Sequence, residues 1–308
     1  MFIGVFPCHH LNALTISPAR AELSTDPGQS ITDTIELWND EDSERTYFIS
    51  SQNFTADGET GAPNFIGSAD GLATWIETNK SVTVLPGERK LVGYTIKVPK
   101  TARPGGHFAA IFFSSSDPGA GSQMMIGGRV GALVLLTVSG EVAENAGVNG
   151  FMTEGGSLFS NIPIKFSYWF NNMGGNRIKP IGTITIENMF GFEVASFSAN
   201  PKSGNVLPGS MRKFVAQWGV DRTNVGADFF SRLKNDVVWG LRNFHLGYYT
   251  ANMHLSYGDN KESDVSYSFF IFPWRLVFLL PGLVLLFLVA RITLTRYNRW
   301  VIAHSHDK

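Results

Sequence analysis

The sequence predicts an all-β fold, two β-sandwiches in tandem, followed by one C-terminal transmembrane helix. Three observations predict it. Short runs with period-two apolar alternation recur along the chain, separated by turns at Pro86-Gly87, Pro104-Gly105 and Asp117-Pro118-Gly119. Parts of that pattern occur twice. One uncharged apolar run, residues 276–290, lies near the C-terminus.

Composition sets the limits. A chain of 308 residues suggests about two domains. Its 25 Lys+Arg against 26 Asp+Glu, with no basic stripe, argue against nucleic acid as a partner. Charged residues make up 17 % while Gly (32) and Phe (24) are plentiful, which leans toward turn-rich extracellular β modules. The single cysteine, Cys8, excludes an internal disulfide, so each sandwich must be held by its packed core.

Residues 1–13 (MFIGVFPCHHLNA) read as a truncated signal-peptide remnant. Residues 1–6 are mostly apolar and Ala13 is a small residue suited to cleavage. A basic opening is missing and the apolar core is shorter than roughly 7–15 residues, so the true start is expected upstream. Val5-Phe6-Pro7 before Cys8 makes a poor lipidation box.

The first sandwich is expected over 14–145. Strand-like runs lie at 14–18, 31–38, 46–50, 73–77, 81–85, 90–98, 107–114 and 129–142. Residues 39–44 form a polar turn and 57–71 a Gly-rich loop; no helical period is read before residue 222.

The second sandwich, 146–272, repeats pieces of the first. Val84-Leu85-Pro86-Gly87 returns as Val206-Leu207-Pro208-Gly209, and Gly106-His107-Phe108-Ala109-Ala110 is echoed by Gly247-Tyr248-Tyr249-Thr250-Ala251. Trp38-Asn39-Asp40 matches Phe170-Asn171-Asn172. Phe230, Leu233, Val237 and Leu241 recur at helical spacing, so a short helix is expected as an insertion near 226–241.

A span is expected over 274–295. The charge-free core alone reaches about 22 Å against a hydrocarbon thickness of roughly 30 Å, and the flanks extend it to about 33 Å. Trp274, Arg275, Arg291, Arg296 and Trp300 are the expected anchor flanks, aromatic belts and snorkelling cations at the lipid surface. Arg291, Arg296, Arg299 and Lys308 put positive charge after the span. That predicts a cytoplasmic tail at 296–308 and extracellular domains before the span, with the lipid bilayer as a partner.

Candidate chemistry is sparse. Ser210-Met211-Arg212-Lys213 matches S-x-x-K, but that nucleophile needs a helix start, and here a strand follows a Pro-Gly turn. Asp40, Glu41, Asp42 and Glu44 could gather around Ca²⁺, yet lack the EF-hand glycine and spacing, so a solvated turn is the better reading. His107, His245 and His254 lack zinc-site spacing, and His304 and His306 read as solvated tail residues. Asn53-Phe54-Thr55 and Asn79-Lys80-Ser81 fit the glycosylation pattern. Trp169, Phe170, Trp218, Tyr248 and Tyr249 could line a binding face or fill a core. No catalytic, metal-ligating or cofactor-binding residue is assigned, and no cofactor is expected.

Ile16-Ser17-Pro18-Ala19-Arg20, the run 35–39, Trp75-Ile76, Leu85-Pro86-Gly87-Glu88, Val98-Pro99 and Pro104-Gly105-Gly106-His107 together resemble the N-terminal module of the WxL-interacting proteins, bacterial cell-surface proteins. The resemblance implies two immunoglobulin-like domains, with peptidoglycan binding associated with the first and a partner surface with the second. The opening strands also loosely resemble periplasmic pilus chaperones. The expected function is a non-catalytic cell-surface binding or scaffolding protein, anchored by its C-terminal span and presenting both domains to cell-wall polymer or a surface protein. The alternative is a membrane-tethered assembly chaperone for surface or pilus subunits. A third reading, a membrane-bound hydrolase, would need a polar pocket around Ser210.

Overall fold

The computed structural model describes residues 14–116, 128–221, 238–239 and 244–304. The leader remnant therefore lies outside the described residues, as does the expected helical insertion near 226–241 except for 238–239. Two compact units form. The first comprises Met1–Gly147 with Phe170–Lys179 and Asn205–Lys213; the second comprises Val148–Trp169, Pro180–Gly204 and Phe214–Lys308.

The described chain is dominated by strands. One sheet of the first unit runs in the order β1 (Leu14–Ser17), β3 (Ser30–Asn39), β8 (Arg89–Lys97), β6 (Ile76–Thr78). The other runs β2 (Arg20–Thr25), β10 (Arg129–Val138), β9 (Gly105–Ser114), β4 (Arg45–Asp57), β5 (Ala62–Phe65), with β7 (Ser81–Val84) also on β4. Strand alternation turns Ile35, Leu37, Val92, Tyr94 and Ile96 of one sheet toward Ala109, Ile111, Phe113, Val134 and Leu136 of the other. Those side chains form one buried core, as expected of a sandwich without disulfides.

Three details depart from the sequence reading. Residues 57–71 contain a strand, β5, paired with the end of β4 through Phe54↔Phe65. The strand expected at 73–77 begins as a helical turn, α1 (Leu72–Trp75), before β6. Consecutive Leu72 and Ala73 are both buried, as successive residues of a helical turn packed on the core can be. The buried Asn53 amide holds this segment, donating to Gly67 O and Asp70 O and accepting from the Ala73 N–H at 2.9 Å. Finally, β2 adds a parallel strand beside β10, with Leu133↔Arg20 through Val138↔Thr25.

The later part of the chain builds a three-stranded sheet, β11 (Ala146–Thr153), β13 (Ile164–Asn172), β16 (Ser210–Trp218). A five-stranded sheet follows the order β12 (Leu158–Phe159), β18 (Lys261–Ile271), β17 (Gly247–Tyr257), β14 (Ile181–Asn188), β15 (Glu193–Ser198). Within the second unit, Phe166, Phe269 and Tyr168 are fully buried; Tyr168 stacks on Phe214 at 5.1 Å, and Phe166 meets Phe269 at 5.5 Å.

The internal repeat has a physical basis in one side chain. Asn39, the last residue of β3, is 0 % exposed, and its amide donates to Ser43 O, Val84 O and Leu85 O while its Oδ1 accepts from Glu41 N–H. Asn172, the last residue of β13, is likewise buried; it donates to Asn176 O and Val206 O and accepts from Gly174 N–H. Both amides therefore reach the valine of a Val-Leu-Pro-Gly turn. The equivalent of Asn39 is Asn172 and not Asn171, one residue later than the sequence match placed it.

The expected membrane span is corrected. The C-terminal segment forms one helix, α2 (Trp274–His304), which continues through Pro281. Among the described residues, no helix is long and apolar enough to cross a membrane. The charge-free core reaches only about 22 Å, short of roughly 30 Å of hydrocarbon. Arg275, Arg291, Arg296 and Arg299 belong to the same helix as that core, and nothing structural separates 274–295 from the expected tail. The anchor role of Trp274, Arg275, Arg291, Arg296 and Trp300, the extracellular placement and the cytoplasmic tail are therefore withdrawn.

Replacing Asn39 by Ala leaves several buried carbonyls without a donor, so a loss of about 3 kcal/mol is expected in denaturant unfolding. Asn172→Ala should cost a similar amount, whereas Asn171→Ala should be near neutral.

Candidate functional site: an open sheet edge beside an aromatic face

In the first unit, the chain leaves one sheet and enters the other at Ser17-Pro18-Ala19. Among the described residues, β1 pairs only with the last four residues of β3, from Leu14↔Asn39 to Ser17↔Glu36. Pro18 has no N–H to continue that ladder. The chain resumes as β2 beside β10, beginning with Leu133 N–H donating to Ala19 O at 3.0 Å. Two half-edges result. Residues 30–35 of β3 and 129–132 of β10 each have a partner strand on one side only, among the described residues.

These half-edges are not equivalent. On β3, the Asp33 carboxylate accepts the Thr34 N–H at 2.8 Å and the Tyr94 hydroxyl at 3.1 Å, so a charge and an internal hydrogen bond blunt that edge. Burial, then the Asp33 charge and hydrogen bond, push the Tyr94 phenol up. Residues 129–132 carry no such block. Backbone N–H and C=O groups alternate direction along a strand, so Gly131, two residues before Leu133, faces the same unpaired side. Every residue of this half-strand is paired with β9 on its other side, from Arg129↔Ser114 to Ala132↔Ile111.

The outer face beside this edge is aromatic. Phe54 meets Phe108 at 5.9 Å and Phe65 at 6.1 Å, and Phe65 meets Phe112 edge-on at 4.9 Å. The Arg129 guanidinium lies 4.1 Å from the Phe112 ring centre and donates to Gln52 Oε1 at 3.2 Å. A Cβ on Gly131 would stand 2.7 Å from the Phe112 ring, so this ring can cover the strand only where glycine sits. Farther along β10, Leu133 and Leu135 join Phe54 and Leu207 around a cavity of about 60 Å³, rimmed by Arg20, Asn205 and Arg212.

Near that cavity, Glu22 gathers cations and amides of the same unit. It is 3.1 Å from Arg20 and 3.5 Å from Arg177, and accepts from Asn205 Nδ2 at 2.9 Å. Partial burial pushes its carboxyl up, but Asn205, Arg20, Arg177 and Lys179 outweigh that and hold it below its ordinary value.

The residues singled out from the sequence are scattered. Ser210 opens strand β16, its hydroxyl donating to Leu207 O at 2.7 Å, and Lys213 three residues on belongs to the opposite face. Glu41 pairs with Arg45 at 2.5 Å, and among the described residues no cluster of His, Cys, Asp and Glu is grouped to hold a metal. Asn53 is 7 % exposed and structurally engaged, so its glycosylation triplet has no accessible acceptor, whereas Asn79 is exposed. Trp218, Phe170 and Tyr249 are core residues; Tyr248 is exposed and meets Phe270 at 4.7 Å with the rings tilted by 56°.

The three histidines have separate surroundings. His107 Nε2 lies 2.9 Å from Arg103 O, and its ring is 4.7 Å from Trp75. His245 packs against Trp218 at 4.8 Å, and burial pushes its pKa down. His254 on β17 faces Asp264 on β18, Nδ1 to Oδ1 at 2.6 Å, and the hydrogen bond and charge of Asp264 raise its pKa. Neither the open edge nor its aromatic neighbour was assigned from sequence. The tract FAAIFF within β9, apolar at consecutive positions, was the available signal for a sheet with both faces apolar.

No protein-family model and no curated protein matches the chain. Among solved structures, it resembles the class 5 fimbriae chaperone CfaA at 13 % identity, covering 83 % of this chain and 99 % of that one, with a TM-score of 0.38. The E. coli chaperone DraB shows 11 % identity, 84 % and 97 % coverage and a TM-score of 0.33. A chaperone–tip subunit complex of Csu pili from Acinetobacter baumannii shows 10 % identity, 82 % and 97 % coverage and a TM-score of 0.36.

The anchored cell-surface scaffold is corrected accordingly. That role required a span, and no described helix is long and apolar enough to cross a membrane. The bilayer and cell-wall polymer are withdrawn as partners with it.

Gly131→Ala should force Phe112 aside and cost about 1–3 kcal/mol in denaturant unfolding, as overpacking does. In an NMR titration His254 should titrate above 6.5, and Asp264→Asn should bring it down. Because its folded pKa is the higher one, the pair's contribution is fully present below the unfolded value and declines as pH rises through the folded pKa.

Proposed function

We propose that this chain is a non-catalytic protein binder that holds an extended segment of a partner along the open edge of β10, in the manner of an assembly chaperone for protein subunits with unpaired strands. The observation that carries the reading is that, among the described residues, β10 is paired on both sides over 133–138 and on one side over 129–132. An incoming strand would occupy the lane that β2 fills farther along, gaining main-chain hydrogen bonds without requiring special side chains. Competing edges support the choice. The β3 half-edge is blunted by Asp33, and the edge strand β5 carries Pro63, which cannot donate. The role agrees with the one named for CfaA and DraB, and rests on the edge itself.

Peptides selected from a display library against the full chain test this. Selected binders should slow amide exchange at Gly131, and N-methylation at alternate peptide residues should weaken binding at least tenfold. Binders that leave Gly131 exchange unchanged, or tolerate N-methylation throughout, would overturn the proposal.

A further inference from the structure

Resting on that reading, we infer that the open lane beside residues 129–132 selects a segment whose alternate residues are apolar, with two such side chains turned into the sandwich and polar ones turned out. At this level, among the described residues, no strand follows β10 at the edge of its sheet. β1 lies close to β10 but belongs to the other sheet. Leu14 and Ile16 of β1 point inward and remain half-buried, packed against a core that includes Ala132. Val130 of β10 is half-buried as well, although its strand neighbour Ala132 is 2 % exposed. A strand laid beside 129–132 would send every second side chain into the space between Val130 and Ala132 on one sheet and Leu14 and Ile16 on the other.

The chain displays the fitting pattern in the same lane. Where β2 fills it, Ala21 opposite Val134 and Leu23 opposite Leu136 face the core, while Arg20, Glu22 and Ser24 face out. A continuation of that lane over four residues spans about 13 Å, room for two inward positions. The outer side offers little to an apolar residue. Gly131 has no side chain, and Phe112 already covers it and is capped by Arg129. Selectivity therefore lies on the inward side, where an aliphatic side chain is taken out of water.

The test uses the full chain and two end-capped synthetic hexapeptides, one alternating valine with serine and one of serine alone. Fluorescence polarisation should show the valine–serine peptide binding at least tenfold tighter. Ile16→Thr, close in volume to valine, should reduce that preference at least threefold, with a thermal midpoint measured alongside to confirm folding. Equal binding of both peptides with Gly131 protected from exchange would overturn this inference and leave the edge reading standing. Failure of both peptides to protect Gly131, while library-selected binders do, would also overturn it; failure of every peptide would remove the edge reading itself.

Discussion

The buried Asn39 amide fixes where β3 ends, and much of the first unit follows from that point. Its side chain ties the end of the strand to the carbonyls of Val84 and Leu85, and its backbone N–H donates to Glu88 O at 3.2 Å. The turn leading into β8 is thereby held against β3, and the β3–β8 register runs from Trp38↔Arg89 to Ser30↔Lys97. β1 pairs only with the four residues that end at Asn39. The first strand thus runs out at Ser17, Pro18 ends its ladder, and the chain must find a new edge. It does so on β10 from Leu133 onward, which leaves 129–132 with one neighbour among the described residues. A polar side chain wholly removed from water is tolerated because each of its hydrogen-bonding atoms is engaged. The same amide at Asn172 shows that the later sheets use this device again.

An unpaired half-edge is a hazard for association unless something blunts it. The two half-edges made by the β1–β2 crossing differ in this respect. β3 places Asp33 in its open half, where the carboxylate occupies one N–H and brings a charge. β10 has only Arg129 at the start of its open half, and that guanidinium is already drawn onto the Phe112 ring and Gln52. One edge is protected and the other kept usable within a single strand crossing. That asymmetry supports the proposed binding edge more sharply than the presence of an edge alone.

The sequence made the strands, the turns and the repeat legible, because those are set by period-two alternation and by Pro-Gly pairs. It did not reveal the parallel strand β2, whose Arg-Ala-Glu-Leu-Ser-Thr reads as polar sequence; only two inward positions, Ala21 and Leu23, carry its pattern. It also misread 73–77, because the factor that bends Leu72 and Ala73 into a helical turn is a distant amide, Asn53, invisible to local periodicity. The Asn39–Asn172 equivalence was seen one residue out of place, since Asn171 and Asn172 are chemically identical and only burial tells them apart. For the C-terminal run, apolar composition was legible but its outcome was not. Bracketing arginines suggested an anchor, whereas the structure carries helix through and past them.

The candidate site was harder to read than the fold for a related reason. An edge is defined by what does not pair with it, and pairing is a property of distant segments. Gly131 illustrates this: in sequence it is a glycine within an apolar strand, which suggests only a weak point or a close approach. In the fold it is the residue that Phe112 approaches too closely for a Cβ to fit, and its backbone faces the unpaired side. Leu14 and Ile16 likewise lie in a run read only as a strand, and they stay half-buried at the level where β10 has no second partner among the described residues. The same crossing that sets β2 beside the far half of β10 leaves 129–132 without a second partner among the described residues, so the open edge and the half-burial of Leu14, Ile16 and Val130 have a single structural origin.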